Sequence, residues 1–138
     1  MQDCTFVTYS DSSFNNLDNG GSQEGFKMFL TDNIGNSSSV IWQSKKIRRV
    51  VKSTMAAETL ALVDAAEASF WLSKLFVEIC SGNKIQINMP LHFYIDSKQL
   101  HEGLFSIRPV LDKRLRTERG ILREMIEKKE IHSATWIS

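Results

Sequence analysis

Long hydrophobic runs are missing from this 138-residue sequence, and cysteine is scarce. No apolar stretch approaches the roughly 20 residues that a membrane-spanning helix needs, and no secretory signal pattern is present. The two cysteines, Cys4 and Cys80, are far apart and form no CxxC pair. This spacing predicts reduced thiols rather than a disulfide framework. We therefore expect an intracellular protein that makes no membrane contact.

Several catalytic signatures are also missing. The sequence has no glycine-rich P-loop, no His/Cys cluster for zinc, and no Ser and His in a spacing that suggests a triad. The formal net charge is only +1. Because nucleic-acid binders are usually strongly basic, binding of this kind would have to depend on local patches. The length and the 42% hydrophobic content predict one globular domain over residues 1–138.

Hydrophobic periodicity and turn residues predict a mixed α+β (α/β) fold with the element order β-β-β-α-β-α-α-β. The first three strands are separated by turn clusters, which is typical of an antiparallel meander. A long stretch rich in Ala, Leu and Glu without Gly or Pro predicts the first helix, with Ser53 or Thr54 as its N-cap. The predicted strands are Thr5–Ser10, Gly25–Thr31, Ser39–Gln43, Leu91–Ile95 and Ile131–Ile137, and the predicted helices are Thr54–Ile79, Ser97–Phe105 and Asp112–Lys129.

Three acidic residues stand at positions where they could meet. Asp11 and Asp96 each follow a predicted strand, and strand-end carboxylates can converge on one point. Taken singly, each is also a common turn or cap residue. Glu58 lies one turn inside the first helix, where an acid near the N-terminus is favourable. However, helical spacing places it on an apolar face with Leu62, Ala65, Ala66, Leu72 and Phe76. A carboxylate on a packing face is costly unless it is paired or bound to a metal.

These three carboxylates predict a divalent-metal site. Carboxylates that share one place repel each other, so a cation is needed to keep all of them ionised. Oxygen ligands select Mg²⁺ or Mn²⁺ rather than zinc. Two such ions, roughly 3.5–4 Å apart, can activate a water and stabilise the leaving oxygen of a phosphodiester.

The sequence resembles the ribonuclease H domain of the reverse transcriptase in copia-type LTR retrotransposons. The resemblance runs from about Thr8 to the last residue, and its most specific part is Trp-x-Ser-Lys-Lys followed by Ser-Thr-x-Ala-Ala-Glu. The matching segments are Tyr9–Ser13, Ile41–Lys46, Ser53–Leu62, Tyr94–Ser97, Lys113–Arg116 and Glu130–Ile137.

The resemblance implies a ribonuclease H-like fold, with helices packed on a five-stranded mixed sheet. It also implies cleavage of RNA/DNA hybrids with Mg²⁺, within a Pol polyprotein that supplies a polymerase domain. Asp11, Glu58 and Asp96 match the family's first three metal-binding acids. The family has a fourth acid just beyond the fifth strand, where this sequence stops at Ser138, so we expect a domain cut short there. The location implied is a cytoplasmic virus-like particle or the nucleus.

Two groups of basic residues leave alternatives open. The first lies between the third strand and the first helix, beside the expected metal site, and could contact phosphates or be a solvated sheet edge. It comprises Lys45, Lys46, Arg48, Arg49 and Lys52. The second lies at the start of the last helix, and solvated ion pairs are favoured there over phosphate contact, although Arg116 is kept as a candidate. It comprises Lys113, Arg114, Arg116, Arg119 and Arg123. The three tryptophans, Trp42, Trp71 and Trp136, are expected in the core.

The favoured hypothesis is an endonuclease that cuts the RNA strand of RNA/DNA hybrids. The first alternative is a non-catalytic module of the same fold that binds hybrid or supports a reverse transcriptase, inactive for want of the fourth acid. The second is an integrase or resolvase, because one fold serves many functions. The specific segments above argue against that second alternative.

Overall fold

A mixed five-stranded sheet runs through the centre of the structure, a computed structural model that describes residues 4–13, 21–47, 53–81, 89–105 and 113–137. The strand order is β3-β2-β1-β4-β5. The first three strands form an antiparallel meander, whereas β4 is parallel to both β1 and β5. The strands are β1 (Thr5–Ser13), β2 (Gln23–Thr31), β3 (Ser37–Lys46), β4 (Leu91–Ile95) and β5 (Ser133–Trp136).

Two of the three helices begin at a serine cap. Helix α1 (Thr54–Ser81) starts where the Ala56 amide donates to the Ser53 hydroxyl oxygen, at 3.0 Å. Helix α2 (Lys98–Phe105) starts where the Leu100 amide donates to the Ser97 hydroxyl oxygen, at 3.2 Å. Each serine satisfies an amide that has no partner within its own helix. Helix α3 covers Lys113–Glu127.

The core lies between the sheet and α1, which contacts β1, β2 and β4. Large side chains from three strands are fully buried there: Phe6, Met28 and Phe93. The face of α1 that includes Leu62, Ala65 and Ala66 packs on them. A buried hydrogen bond between the hydroxyls of Thr8 and Ser69, at 2.9 Å, joins β1 to the same helix.

The predicted element order is confirmed, and the differences are in element lengths. Strand β1 continues past Asp11 to Ser13, because Ser12 and Ser13 still pair with the start of β2. Strand β5 is shorter than predicted: the amides of Glu130 and Ile131 donate to the Met125 carbonyl, so Ile131 belongs to the turn that ends α3. Asp112, predicted to begin the last helix, lies outside the described residues.

The expectation of three core tryptophans is wrong. Trp42 is 72% exposed on the edge strand β3, and Trp71 is 70% exposed on the outer face of α1. Trp136 is 40% exposed at the end of β5, the other edge strand. Trp136 lies beside the buried Ile95 in the β4–β5 ladder and is the least exposed of the three. In the described part of the chain, no helix combines the length and apolar character needed to cross a membrane.

Candidate metal centre

Asp11, Glu58 and Asp96 come together at one end of the sheet. Strands β1 and β4 are parallel neighbours, with Ser10 opposite Ile95, so the next residue of each strand is an aspartate. Glu58 approaches from the second turn of α1. Each residue offers a carboxylate oxygen within 4.8 Å of those offered by the other two. We call these three residues the open cluster.

Small residues let α1 approach the sheet at this point. Ala56 and Ala57, just before Glu58, are buried, and Thr59 directs its hydroxyl to the Met55 carbonyl of its own helix at 2.7 Å. The buried positions next to Glu58 on α1 are thus occupied by small side chains. Glu58 is 6% exposed, whereas Asp11 and Asp96 are exposed to solvent.

Burial and repulsion disfavour charge in this cluster. The pKa of Glu58 is raised to about 7, mainly by burial and in addition by the charges of Asp96 and Asp11, while polar groups of Ser12 partly oppose the rise. The pKa of Asp11 is also raised, first by burial and then by Asp96. The Ser12 amide, which donates to the Asp11 carboxylate at 2.8 Å, works against that rise.

The donor set suits a divalent cation. Among the residues that the structure describes, no basic side chain forms an ion pair with any member of the open cluster. Three carboxylates that no described cation pairs with make a strongly negative site with oxygen ligands, which hard cations such as Mg²⁺ and Mn²⁺ prefer. The open cluster could therefore hold a metal ion.

A second group of carboxylates was not predicted. Glu24 on β2 is 5% exposed, and burial raises its pKa to about 7, with Asp64 of α1 adding to the rise. Lys45 of β3 lies 3.3 Å from the Glu24 carboxylate and 3.1 Å from that of Asp64. We call these three residues the paired cluster. The alternation of side chains along β2 could have indicated a buried Glu24, since Glu24 shares a face of the strand with the buried Phe26 and Met28.

The candidate nucleic-acid-binding residues have different environments. The Lys45 ammonium is engaged by two carboxylates of the paired cluster. Lys46 is exposed at the end of β3. It pairs with Gln23 of β2, which in turn pairs with Ser13 of β1, two residues beyond Asp11. Arg116 is exposed on α3. Arg48, Arg49 and Lys52 lie outside the described residues. A phosphate-contacting role for the six remains a prediction.

Helix α3 is less solvated than its charge pattern suggested. An i,i+4 pair is present between Lys128 and Glu124, at 2.7 Å. However, Arg119 is buried, and Arg123 donates from Nε to the carbonyl oxygen of Leu104 on α2 at 3.2 Å. The arginines predicted to form solvated pairs are thus partly used in packing α3 against the rest of the domain.

Comparisons with solved structures place this geometry in a known fold. RNase H1 of the halophilic archaeon Halobacterium salinarum matches 96% of this chain and 85% of its own, at 20% identity and a TM-score of 0.64. LC11-RNase H1 from compost, solved with an RNA/DNA hybrid, matches 96% of this chain and 83% of its own, at 17% identity and a TM-score of 0.63. The protease-reverse transcriptase of prototype foamy virus matches 98% of this chain but only 17% of its own length, at 11% identity and a TM-score of 0.52. No protein-family model and no curated protein matches the sequence.

At these identities the structural likeness concerns the fold. The mixed five-stranded sheet with its packed helices matches the fold of RNase H1 proteins from an archaeon and from compost. The chain has a ribonuclease H-like fold.

Proposed function

We propose that this chain is a ribonuclease H domain that hydrolyses the RNA strand of RNA/DNA hybrids. The observation that carries the proposal is the open cluster: three carboxylates within 4.8 Å, two of them on neighbouring parallel segments after Ser10 and Ile95 and the third, buried, on α1. One structural neighbour, LC11-RNase H1, has been solved in complex with an RNA/DNA hybrid, which supports this substrate class.

Asp11, Glu58 and Asp96 would hold two ions, Mg²⁺ or Mn²⁺. Bound ions of this kind supply the positive charge that activates water and stabilises a leaving phosphodiester oxygen. The protein's own part is to fix the carboxylates. Strands β1 and β4 set the spacing of the two aspartates, and α1 brings Glu58 to them. Lys46 and Arg116, with Lys45, Arg48, Arg49 and Lys52, are the proposed contacts to the backbone of the hybrid.

The proposed setting is the Pol polyprotein of a copia-type retrotransposon. Its support is the sequence resemblance, strongest in Ile41–Lys46 and Ser53–Leu62. The likeness to part of a protease-reverse transcriptase adds to it. In this setting residues 1–138 form one domain that works with the polymerase domain of the same polyprotein, in a cytoplasmic virus-like particle or the nucleus.

The test is cleavage of a hybrid labelled on its RNA strand, in Mg²⁺ and separately in Mn²⁺. We expect the wild-type chain to cut the RNA strand. Asp96→Asn should lower the rate by at least about 10³-fold, because a metal ligand is lost. Glu24→Gln, which alters the paired cluster, is the matched control and should keep most of the activity.

A non-catalytic, hybrid-binding module is the second candidate. One observation favours it: within the described residues the open cluster has three acids, whereas the family uses four. Hybrid binding that weakens with salt, together with no cleavage at any concentration of either metal, would support this candidate and contradict the enzyme.

A further inference from the structure

Trp136, the exposed tryptophan at the end of β5, contacts the backbone of a residue in the open cluster. Its indole Nε1 donates a hydrogen bond to the carbonyl oxygen of Asp96 at 3.2 Å. Trp136 pairs with Ile95 across the parallel β4–β5 ladder, and the amide of Ile137 donates to the Ile95 carbonyl at 2.9 Å. Residues at the end of β5 therefore donate hydrogen bonds to the carbonyl groups of both Ile95, the last residue of β4, and Asp96, which follows it.

The indole ring of Trp136 also contacts the ammonium group of Lys98. The Lys98 ammonium lies 5.5 Å from the centroid of the Trp136 ring, a distance at which a cation is attracted to the face of an indole. Lys98 follows Asp96 by two residues and begins α2. Its side chain is 64% exposed, and its pair with Glu102 of the same helix is long, at 4.0 Å. A pair of this kind contributes little and leaves the ammonium accessible to another anion.

We propose that Trp136 is a positioning residue for the open cluster and that Lys98, held on its ring, contacts a backbone phosphate of the nucleic acid. This inference rests on the proposed function and extends it to two residues with separable roles. The hydrogen bond of Trp136 fixes the backbone that carries the Asp96 carboxylate. The ammonium of Lys98 adds positive charge next to a site that is otherwise negative, where a polyanion has to approach.

The two roles predict different defects. Trp136→Phe keeps an aromatic ring for Lys98 but removes the indole N–H, so it should weaken binding of Mn²⁺ alone by about tenfold, as expected for loss of a group that orients a ligand. Trp71→Phe removes an indole that is 70% exposed on α1 and is the matched control. It should bind Mn²⁺ like the wild type. Isothermal titration calorimetry measures both.

Lys98→Gln should instead weaken hybrid binding and leave Mn²⁺ binding intact or slightly tighter. Measured in EDTA by fluorescence anisotropy over a range of salt concentrations, the slope of log affinity against log salt should fall by about one, because one phosphate contact is lost. Lys98→Arg keeps the charge and should restore the slope. Trp136→Phe should leave the slope close to that of the wild type.

A spectroscopic signature adds a readout that a merely structural role would not change. In the ¹⁵N-labelled protein, the indole resonance of Trp136 should shift on saturation with Mg²⁺, while those of Trp42 and Trp71 stay in place. If Trp136→Phe does not fold, Trp136→Tyr, which also lacks the indole N–H, replaces it.

The inference is overturned if Trp136→Phe binds Mn²⁺ as tightly as Trp71→Phe, or if Lys98→Gln keeps the wild-type salt slope. Failure of the proposed function looks different. A wild-type chain that cleaves no hybrid would contradict the enzyme, but Mn²⁺ affinity and the salt slope would still test the roles of Trp136 and Lys98.

Discussion

Two groups of carboxylates lie at the interface between the sheet and α1, and they differ in how their charge is balanced. In the paired cluster, Glu24 and Asp64 share the ammonium of Lys45. In the open cluster, three carboxylates converge, and no basic side chain of the described residues pairs with them. Both clusters contain a buried glutamate whose pKa is raised to about 7.

The two clusters differ in what could balance their negative charge. A buried carboxylate is tolerated when the protein supplies its counter-charge, as Lys45 does for Glu24. For the open cluster the described residues supply no such partner, and a bound cation would lower the cost of charging Glu58. Both glutamates have a raised pKa, so the clusters differ in the lysine that the described part of the chain places in one and not in the other.

The largest effect on stability is expected from removing the internal cation. Lys45→Met should lower the free energy of unfolding by about 2–3 kcal/mol at pH 8, which is less than for a fully buried pair because Lys45 is half exposed. Denaturant unfolding measures it, with Lys46→Met as the neighbouring control. The loss should shrink at pH 5, where Glu24 is mostly protonated. An equal loss at both pH values would contradict the charge argument.

A smaller effect of opposite sign is expected in the open cluster. The pKa of Glu58 in the folded chain is about 7, above its ordinary value of 4.5. The folded state thus holds the proton of the Glu58 carboxyl more tightly than the unfolded state does. The stability that this proton contributes is present below pH 4.5 and is lost as pH rises from 4.5 through 7. Glu58→Gln should therefore stabilise the metal-free chain by about 1–2 kcal/mol at pH 8 and hardly at all near pH 4.5.

Denaturant unfolding over this pH range measures the effect of Glu58→Gln. The wild type should show the steeper decline toward high pH. A variant that is less stable than the wild type at pH 8 in EDTA would show that Glu58 has a stabilising partner, which would remove the difference between the clusters.

The smallest effect concerns the pH dependence of cation binding. A cation has to displace the proton that Glu58 holds below pH 7, so binding should release a proton and weaken as the solution is acidified. We expect the Mn²⁺ affinity to fall by at most about tenfold between pH 7 and pH 6. Titration in buffers of different ionisation enthalpy measures the protons released. An affinity that stays constant over this range would contradict the assignment of Glu58 to the cation site.

Much of the fold followed from local patterns in the sequence. Strand alternation, the apolar face of α1 and its serine cap predicted the element order, because each reflects a short-range preference. The meeting of Asp11 with Asp96 depended on β4 lying beside β1 in register, which no local pattern determines. The sequence indicated only that strand-end carboxylates can converge, the resemblance to a known family implied that they share a metal site, and the periodicity of α1 indicated the third acid.

The errors came from tertiary contacts. Trp42 and Trp136 were expected in the core, but they lie on the two edge strands and are partly or largely exposed. The paired cluster was missed because Glu24, Lys45 and Asp64 are distant in sequence and belong to three different elements. Nothing in the sequence indicated that the Lys45 ammonium lies between the carboxylates of Glu24 and Asp64.

The most direct test of the difference between the two clusters is a Mn²⁺ titration of the metal-free chain at pH 8, followed by calorimetry, for the wild type, Asp96→Asn and Glu24→Gln. We predict saturable binding by the wild type, retained in Glu24→Gln and lost or weakened at least about tenfold in Asp96→Asn. No saturable binding by the wild type, or equal binding by all three chains, would contradict the assignment of the open cluster as a cation site.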